Sequence, residues 1–425
     1  MKINSFEVNN YKLHIIKTDN NKKINVKIDF SNLLDKSSIT IRNLLRMILV
    51  QSTSKYPTDR LLNIASEELY DLSYGSSGVI SGNSSILSFD VSFIDSKYLN
   101  EDILEPSLKF LFDIIINPNI SNEKFDEESF KLTFDKLKMN LEMEEENPDQ
   151  YAKMRFLEFM GENENFSCNP NGYLDDLDKI DSSLLYQEYL KMINNDTINV
   201  FVIGNVDCNL VKEIFEKNFN LNNKCSNFKP EFSKYDLFRN DVNSVTQYKD
   251  INQSKLFIGF KFEPLTLFEK QYVSYIYSNI LGGSSDSKLF TNVREKNSLC
   301  YYVYSSVKPV SDLMIIGSGI DYKDFDKAVD LIKHEVDEMK KGNFSSSDIE
   351  KAVSIYLSSY EAIYDSQAQM LSNFVSNVYF NFDLVDDRVS TILKVTKEDI
   401  VKFASKLHLD TIYLLHGGDK FETDV

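Results

Sequence analysis

The chain has 425 residues, 42% of them hydrophobic and 26% charged, enough apolar material for large cores and too much for an intrinsically disordered polypeptide. Forty-seven Lys and Arg stand against 65 Asp and Glu, a net charge of −18. Phosphate backbones are bound by displacing counterions with Lys and Arg, so nucleic acid is excluded as a partner. No apolar run approaches the ~20 residues that cross a bilayer. The N-terminus, Met1-Lys-Ile-Asn-Ser-Phe-Glu, has no apolar signal region, so the expectation is a cytoplasmic protein.

In chain order, the first strand signal is Ile24-Asn-Val-Lys-Ile-Asp-Phe, which alternates with period two. Residues 43–47 sit in an amphipathic helix whose core contacts are Leu44, Leu45, Ile48 and Leu49. Leu87-Ser-Phe-Asp-Val-Ser-Phe-Ile-Asp alternates as a strand and leads into a helix at about 101–116. Ser121 is a plausible N-cap for one long helical stretch reaching about residue 159. The acidic run at 142–146 within it reads as a solvated helix face. A capped helix then begins near Lys179 and precedes the apolar strand Asp196-Thr-Ile-Asn-Val-Phe-Val-Ile-Gly.

The same order returns later. Lys255-Leu-Phe-Ile-Gly-Phe-Lys-Phe is a strand; Met314-Ile-Ile-Gly-Ser-Gly-Ile-Asp leads into a helix at about 325–340. A capped helix from Val395 precedes Asp410-Thr-Ile-Tyr-Leu-Leu-His-Gly. Two strand and helix pairs repeated in the same order at similar offsets indicate a tandem duplication of an α+β unit of about 200 residues. Each unit is expected to be an α/β sandwich, a mostly antiparallel sheet with helices on one face, the two forming a clamshell. The expected domains are 1–220 and 251–425, joined by a polar, Asn-rich linker at 221–250.

Cys168, Cys208, Cys225 and Cys300 are scattered, with no C-x-x-C pair, so neither a disulfide framework nor a thiolate metal site is indicated. The histidines are His14, His334, His408 and His416, and no two lie within four residues of each other. H-E-x-x-H and H-x-x-E-H are therefore both absent, and the expectation is no metal in this chain.

The most informative segment is Gly282-Gly-Ser-Ser-Asp-Ser-Lys-Leu-Phe-Thr-Asn-Val-Arg294-Glu-Lys-Asn-Ser-Leu-Cys-Tyr301-Tyr-Val-Tyr-Ser. It fails as a phosphate loop, because G-x-x-x-x-G-K-[ST] is missing. It resembles the C-terminal half of the pitrilysin/insulinase zinc peptidases, the inverzincins. Ser54-Lys-Tyr-Pro-Thr resembles the stretch after that family's zinc helix, Asn147-Pro-Asp the segment after its third zinc ligand, and Ile203-Gly-Asn-Val-Asp its Gly-Asp-Val-Asp strand end. The resemblance implies that Arg294 and Tyr301 contact substrate near the scissile bond, with Gly282 and Gly283 as further substrate-side positions. On residues alone, Arg294 reads as an ion-pair partner of Glu295 or Glu142, and Tyr301 as the edge of a core. A guanidinium and a phenol are both hydrogen-bond donors and could together hold a peptide carbonyl as charge builds on it.

The departure from the family falls on the metal. Counting back from Lys55-Tyr-Pro-Thr, the H-x-x-E-H positions fall on Asn43, Arg46 and Met47. The spacing i, i+3, i+4 shares one helical face, but the side chains do not suit zinc. Met47 offers a thioether that suits soft metals, and Arg46 puts a fixed cation where a water-activating carboxylate would stand. The third ligand falls on Asn140 by its spacing to Pro148, or on Glu142 after a small shift. The resemblance thus implies a non-catalytic subunit of a heterodimeric peptidase, its partner a homologue with intact H-x-x-E-H that carries the zinc, its substrate a peptide or unfolded polypeptide. The alternative is a scaffolding member of the family with no part in proteolysis. A stand-alone peptidase with another metal site is opposed by the histidines.

Overall fold

The structure is a computed structural model that describes residues 2–162, 164–221, 228–234 and 238–417. Cys225 and parts of the expected linker at 221–250 lie outside the described residues. The strands are β1 (Lys2–Val8), β2 (Tyr11–Lys17), β3 (Lys23–Leu33), β4 (Ser73–Ser81), β5 (Ser84–Ile94), the short hairpin β6 (Ile120–Ser121) and β7 (Lys124–Phe125), β8 (Thr197–Gly204), β9 (Asn243–Tyr248), β10 (Ser254–Phe262), β11 (Cys300–Lys308), β12 (Leu313–Ile320) and β13 (Leu407–His416). The helices of the first half are α1 (Ile39–Leu49), α2 (Asp59–Glu67), α3 (Leu104–Ile116), α4 (Glu127–Glu146), α5 (Pro148–Met160), α6 (Leu174–Leu177), α7 (Ser182–Asn195) and α8 (Cys208–Asn218). Those of the second are α9 (Ser274–Ser278), α10 (Phe325–Lys340), α11 (Ser346–Glu361), α12 (Gln367–Phe380), α13 (Val385–Ile392) and α14 (Lys397–Ser405).

Two compact units result. The first takes the described residues of Met1–Met143, Cys168–Glu231 and Tyr364–Phe380; the second takes those of Glu144–Ser167, Phe232–Ile363 and Asn381–Val425. The units therefore differ from a simple division at 1–220 and 251–425 in two segments. Residues 144–167 precede the linker but belong to the second unit, and residues 364–380 follow it but belong to the first.

The first sheet runs β1-β2-β8-β3-β5-β4, antiparallel throughout except for the parallel pair β2/β8. The second runs β11-β12-β10-β13-β9, antiparallel except for the parallel pair β13/β9. Traced from the parallel pair, β2-β8-β3-β5-β4 and β9-β13-β10-β12-β11 have the same order and the same directions. This is the tandem duplication read from the repeated strand and helix pairs, with β1 an addition to the first copy.

Period-two alternation decides which face of each sheet is apolar. In the first unit Ile24, Val26, Ile28 and Phe30 of β3 and Leu87, Phe89, Val91 and Phe93 of β5 join Leu44, Leu45, Ile48 and Leu49 of α1 and Leu108, Leu111 and Ile115 of α3 in one buried core. The other face carries α12: Phe374 meets Phe201 at 6.0 Å and His14 at 5.6 Å, ring centre to ring centre, and Tyr379 Oη donates to Asp29 Oδ2 at 2.7 Å. In the second unit Leu256, Ile258, Phe260 and Phe262 of β10 face the core built with α9, α10 and α14. The opposite face carries α5, whose Ala152, Phe156 and Met160 pack on Phe257, Leu313, Ile315, Tyr413 and Leu415. Gly259 permits that approach, since a Cβ there would lie 2.6 Å from Met160 Sδ and from Phe156 Cζ.

The single helix expected from Ser121 to about 159 is instead three pieces. Ser121 ends β6, and Asn122 and Glu123, with φ of 50° and 59°, make the turn into β7. The helix α4 begins at Glu127 and stops at Glu146. Asn147 then caps α5 by accepting from the amides of Asp149 and Gln150, both at 3.1 Å, and Pro148, which has no N–H to donate, takes the first helical turn.

Candidate functional site

The helix α1 holds the positions at which the resemblance puts the metal. It is anchored by Arg42, 1% exposed, which reaches Asp196 Oδ2 with Nη2 at 2.8 Å, Glu188 Oε1 with Nη1 at 3.7 Å and Ser85 Oγ with Nε at 3.2 Å. One residue on, Asn43 is buried and its Nδ2 donates to the Asn171 carbonyl at 2.7 Å. Arg46 lies against the edge strand β4: its Nη1 donates to the Ser76 carbonyl at 3.2 Å, and Ser76 Oγ donates back to the Arg46 carbonyl at 2.9 Å. Burial lowers the Arg46 pKa, and no carboxylate pairs with it among the described residues. Met47 is half-buried against the core. Asn140 is exposed on α4, and Glu142, also exposed, stands 4.0 Å from Lys138.

These residues do not fit zinc. An amide committed to a backbone carbonyl, a guanidinium and a thioether leave no pair of imidazole or carboxylate donors for the ion. Among the described residues no group of three His, Cys, Asp or Glu could hold a metal. The histidines are far from forming one: His14 lies in β2 with Nδ1 2.8 Å from Ser5 Oγ, His408 meets Glu263 at 3.2 Å, His416 packs on Tyr248 and Tyr322, and His334 is exposed on α10. Burial lowers the His14 pKa to about 4, so it is neutral near pH 7.

Arg294 and Tyr301 belong to the second unit. Arg294 is in the π-helical turn Phe290–Glu295, exposed, with its guanidinium 4.6 Å from the centre of the Phe290 ring. The chain turns back at Ser298, with φ of 53°, and enters β11. Cys300 pairs with Ile320 and Tyr302 with Gly319, so Tyr301 is the extra residue of a β-bulge, which re-aims a side chain out of the sheet. It is 66% exposed. Among the described residues neither side chain makes a hydrogen bond or an ion pair, so Arg294 does not pair with Glu295 and Tyr301 is no core edge. Gly282 is a packing position, where a Cβ would lie 2.6 Å from the Ser305 amide nitrogen, whereas Gly283 is exposed.

Two features escaped the sequence reading. Arg42 is one: a charged residue on the apolar side of an amphipathic helix is a signal of a buried ion pair, and it precedes Asn43 directly. The other is the polar face of β3 and β5, where Lys27, Asp29 and Asp90 alternate with the core residues and no local pattern marks a cover. The cover over Asp29, the helix α12, is 350 residues away in sequence at the Tyr379 contact.

A family model described as the peptidase M16 inactive domain matches residues 179–356. The chain is 29% identical over 418 residues, 96% of each chain, to a Bacillus subtilis protein described as "Probable inactive metalloprotease YmfF". The crystal structure of a conserved protein from Enterococcus faecalis superposes with a TM-score of 0.92 at 25% identity, covering 99% of this chain and 100% of that one. A peptidase M16 inactive domain from Pseudomonas fluorescens shares the fold, with a TM-score of 0.81 at 14% identity and 99% of both chains covered. With a duplicated fold and a helix carrying Asn43, Arg46 and Met47 where the H-x-x-E-H motif would stand, the chain is M16-like and resembles the inactive members of the pitrilysin/insulinase zinc peptidases.

Proposed function

We propose that this chain is the non-catalytic subunit of a heterodimeric zinc peptidase, paired with a homologue that keeps H-x-x-E-H, and that Arg294 and Tyr301 hold the peptide substrate. One observation carries the reading. An exposed guanidinium and an exposed phenol stand on consecutive elements of the second unit with no polar partner among the described residues, one of them lifted out of its strand by a bulge. Donors left free in this way can bind a peptide carbonyl and stabilise negative charge as it develops there. The zinc and the water it activates belong to the partner, because Asn43, Arg46, Met47 and Asn140 do not fit the ion. A purely scaffolding role gives these two side chains nothing to do.

The test is co-expression with a zinc-bearing homologue and assay of the purified pair on an unfolded polypeptide. Arg294→Ala and Tyr301→Phe should each lower kcat by ~10²–10³-fold, the usual cost of one preorganised donor to developing charge. Thermal stability should stay within ~0.5 kcal/mol, because both side chains are exposed and unpaired. Failure to co-elute with the homologue at micromolar concentration, or full activity in both variants, would overturn the proposal.

A further inference from the structure

On the face of the first sheet opposite its core, α12 roofs a cavity of about 350 Å³, within the range of small-ligand sites. The floor presents Lys27 from β3 and Asp90 from β5; the wall presents Leu371, Ser372, Val375 and Ser376 from α12. Ser376 Oγ donates to the Ser372 carbonyl of its own helix at 2.9 Å, so much of that wall offers carbon rather than free polar atoms.

The charges of the floor do not balance. Asp29 is fully buried and fully engaged: Oδ1 accepts from Ser88 Oγ at 2.7 Å and lies 3.2 Å from Lys27 Nζ, while Oδ2 accepts from Tyr379 Oη at 2.7 Å. Lys27 and Asp29 therefore cancel. Asp90, opposite Lys27 in the β3/β5 register, has no hydrogen bond or ion pair among the described residues. It sits at the exposed mouth of the cavity, yet burial of its surroundings raises its pKa, with Lys27 opposing and Asp29 reinforcing the shift. A carboxylate with net charge left over, beside an aliphatic wall, is complementary to a cation carried on a hydrocarbon stem.

We propose that this cavity binds an aliphatic cation, a lysine- or arginine-type group whose stem lies along Leu371 and Val375 and whose head meets Asp90. The residues all belong to the first unit, so the site needs no partner subunit. Arg294 and Tyr301 belong to the second unit and share no residue with this site, so failure of either proposal leaves the other in place. If the occupant is a side chain of a polypeptide, the site selects basic segments, in keeping with a chain of net charge −18.

The experiment is saturation-transfer difference NMR on the full chain at low salt and pH 7.5. The probes are Nα-acetyl-lysine amide, Nα-acetyl-arginine amide, the uncharged Nα-acetyl-norleucine amide and n-butylamine. Both cationic amides should bind at least tenfold more tightly than the norleucine amide. Asp90→Asn should remove that preference, and Ser372→Phe, which fills the cavity from the exposed side of α12 without touching a charge, should abolish binding. Both variants should keep the melting temperature of the parent, which separates loss of the site from loss of the fold. Tighter binding of lysine amide than of n-butylamine assigns the site to polypeptide side chains, and equal binding assigns it to free amines. Absence of binding by the cationic probes, or binding unchanged in Asp90→Asn, would overturn the proposal.

Discussion

Removing the Arg42 guanidinium should unfold the first unit more readily than almost any other single change there. The side chain is 1% exposed and ties α1 to two other elements through three partners: Asp196 at the end of α7, Glu188 within α7 and Ser85 in β5. Asp196 and Glu188 are themselves 2% and 5% exposed, and desolvation already raises the Asp196 pKa against the pull of Arg42. Breaking a buried pair by deleting one partner strands the other charge, which costs about 3–5 kcal/mol. That is a large share of the ~5–15 kcal/mol that holds a typical domain. At ~2–4 °C per kcal/mol for a unit of this size, Arg42→Ala should lower the first melting transition by roughly 6–20 °C. Calorimetry at pH 7 reads the shift directly. The double variant Arg42→Met, Asp196→Asn should recover much of the loss, because it removes the stranded charge as well as its partner. Acidification should also shrink the deficit of Arg42→Ala, since protonation of Asp196 neutralises that charge. A loss below ~1 kcal/mol in Arg42→Ala, or a double variant no more stable than the single, would refute this account.

Neutral, buried His14 makes stability depend on pH. Its pKa falls from 6.5 when unfolded to about 4 when folded. Between those values the unfolded chain binds the extra proton, so stability rises with pH and is lost as pH falls from 6.5 towards 4, at up to ~1.4 kcal/mol per unit. His14→Gln should flatten that limb in urea titrations; an unchanged slope would refute it. Gly259→Ala should destabilise the second unit by ~1–3 kcal/mol, because its Cβ would press on Met160 and Phe156 at 2.6 Å. A neutral result in thermal melts would mean that α5 shifts freely.

Much of the fold was legible because burial on one side writes its period into the sequence. The alternation of β3 and β5 and the repeated strand and helix order showed both sheets and the duplication. The helix α10 begins and ends where its 3.6-residue pattern runs, at Phe325–Lys340. The break at Asn147-Pro148 was legible too, since proline after a capping residue opens a helix, but the acidic run beside it looked like continuous helix. What alternation could not show is what lies on the second face of a sheet. Nothing nearby in the sequence marks a cover over Asp29 and Lys27, because that cover arrives through a contact of very long separation. The loss of the metal ligands was visible at Asn43, Arg46 and Met47, whereas the bulge that frees Tyr301 depends on a register with β12 that no local pattern encodes.

The exchange of α5 and α12 sets an order of events during synthesis. When the ribosome has released residues 1–231, the first sheet still shows the ring of Phe201 and the carboxylate of Asp29 to water, because Phe374 and Tyr379 do not yet exist. At ~5–20 residues per second, roughly 150 more residues take on the order of 10–30 s. Through that interval the nascent chain carries an unfinished apolar surface that a chaperone can hold, and only near the end of translation does α12 seal it. The same bookkeeping governs dissection: a gene cut at the middle of the chain yields two fragments that each lack a helix and carry a spare one, so recovery of soluble material should require both fragments together.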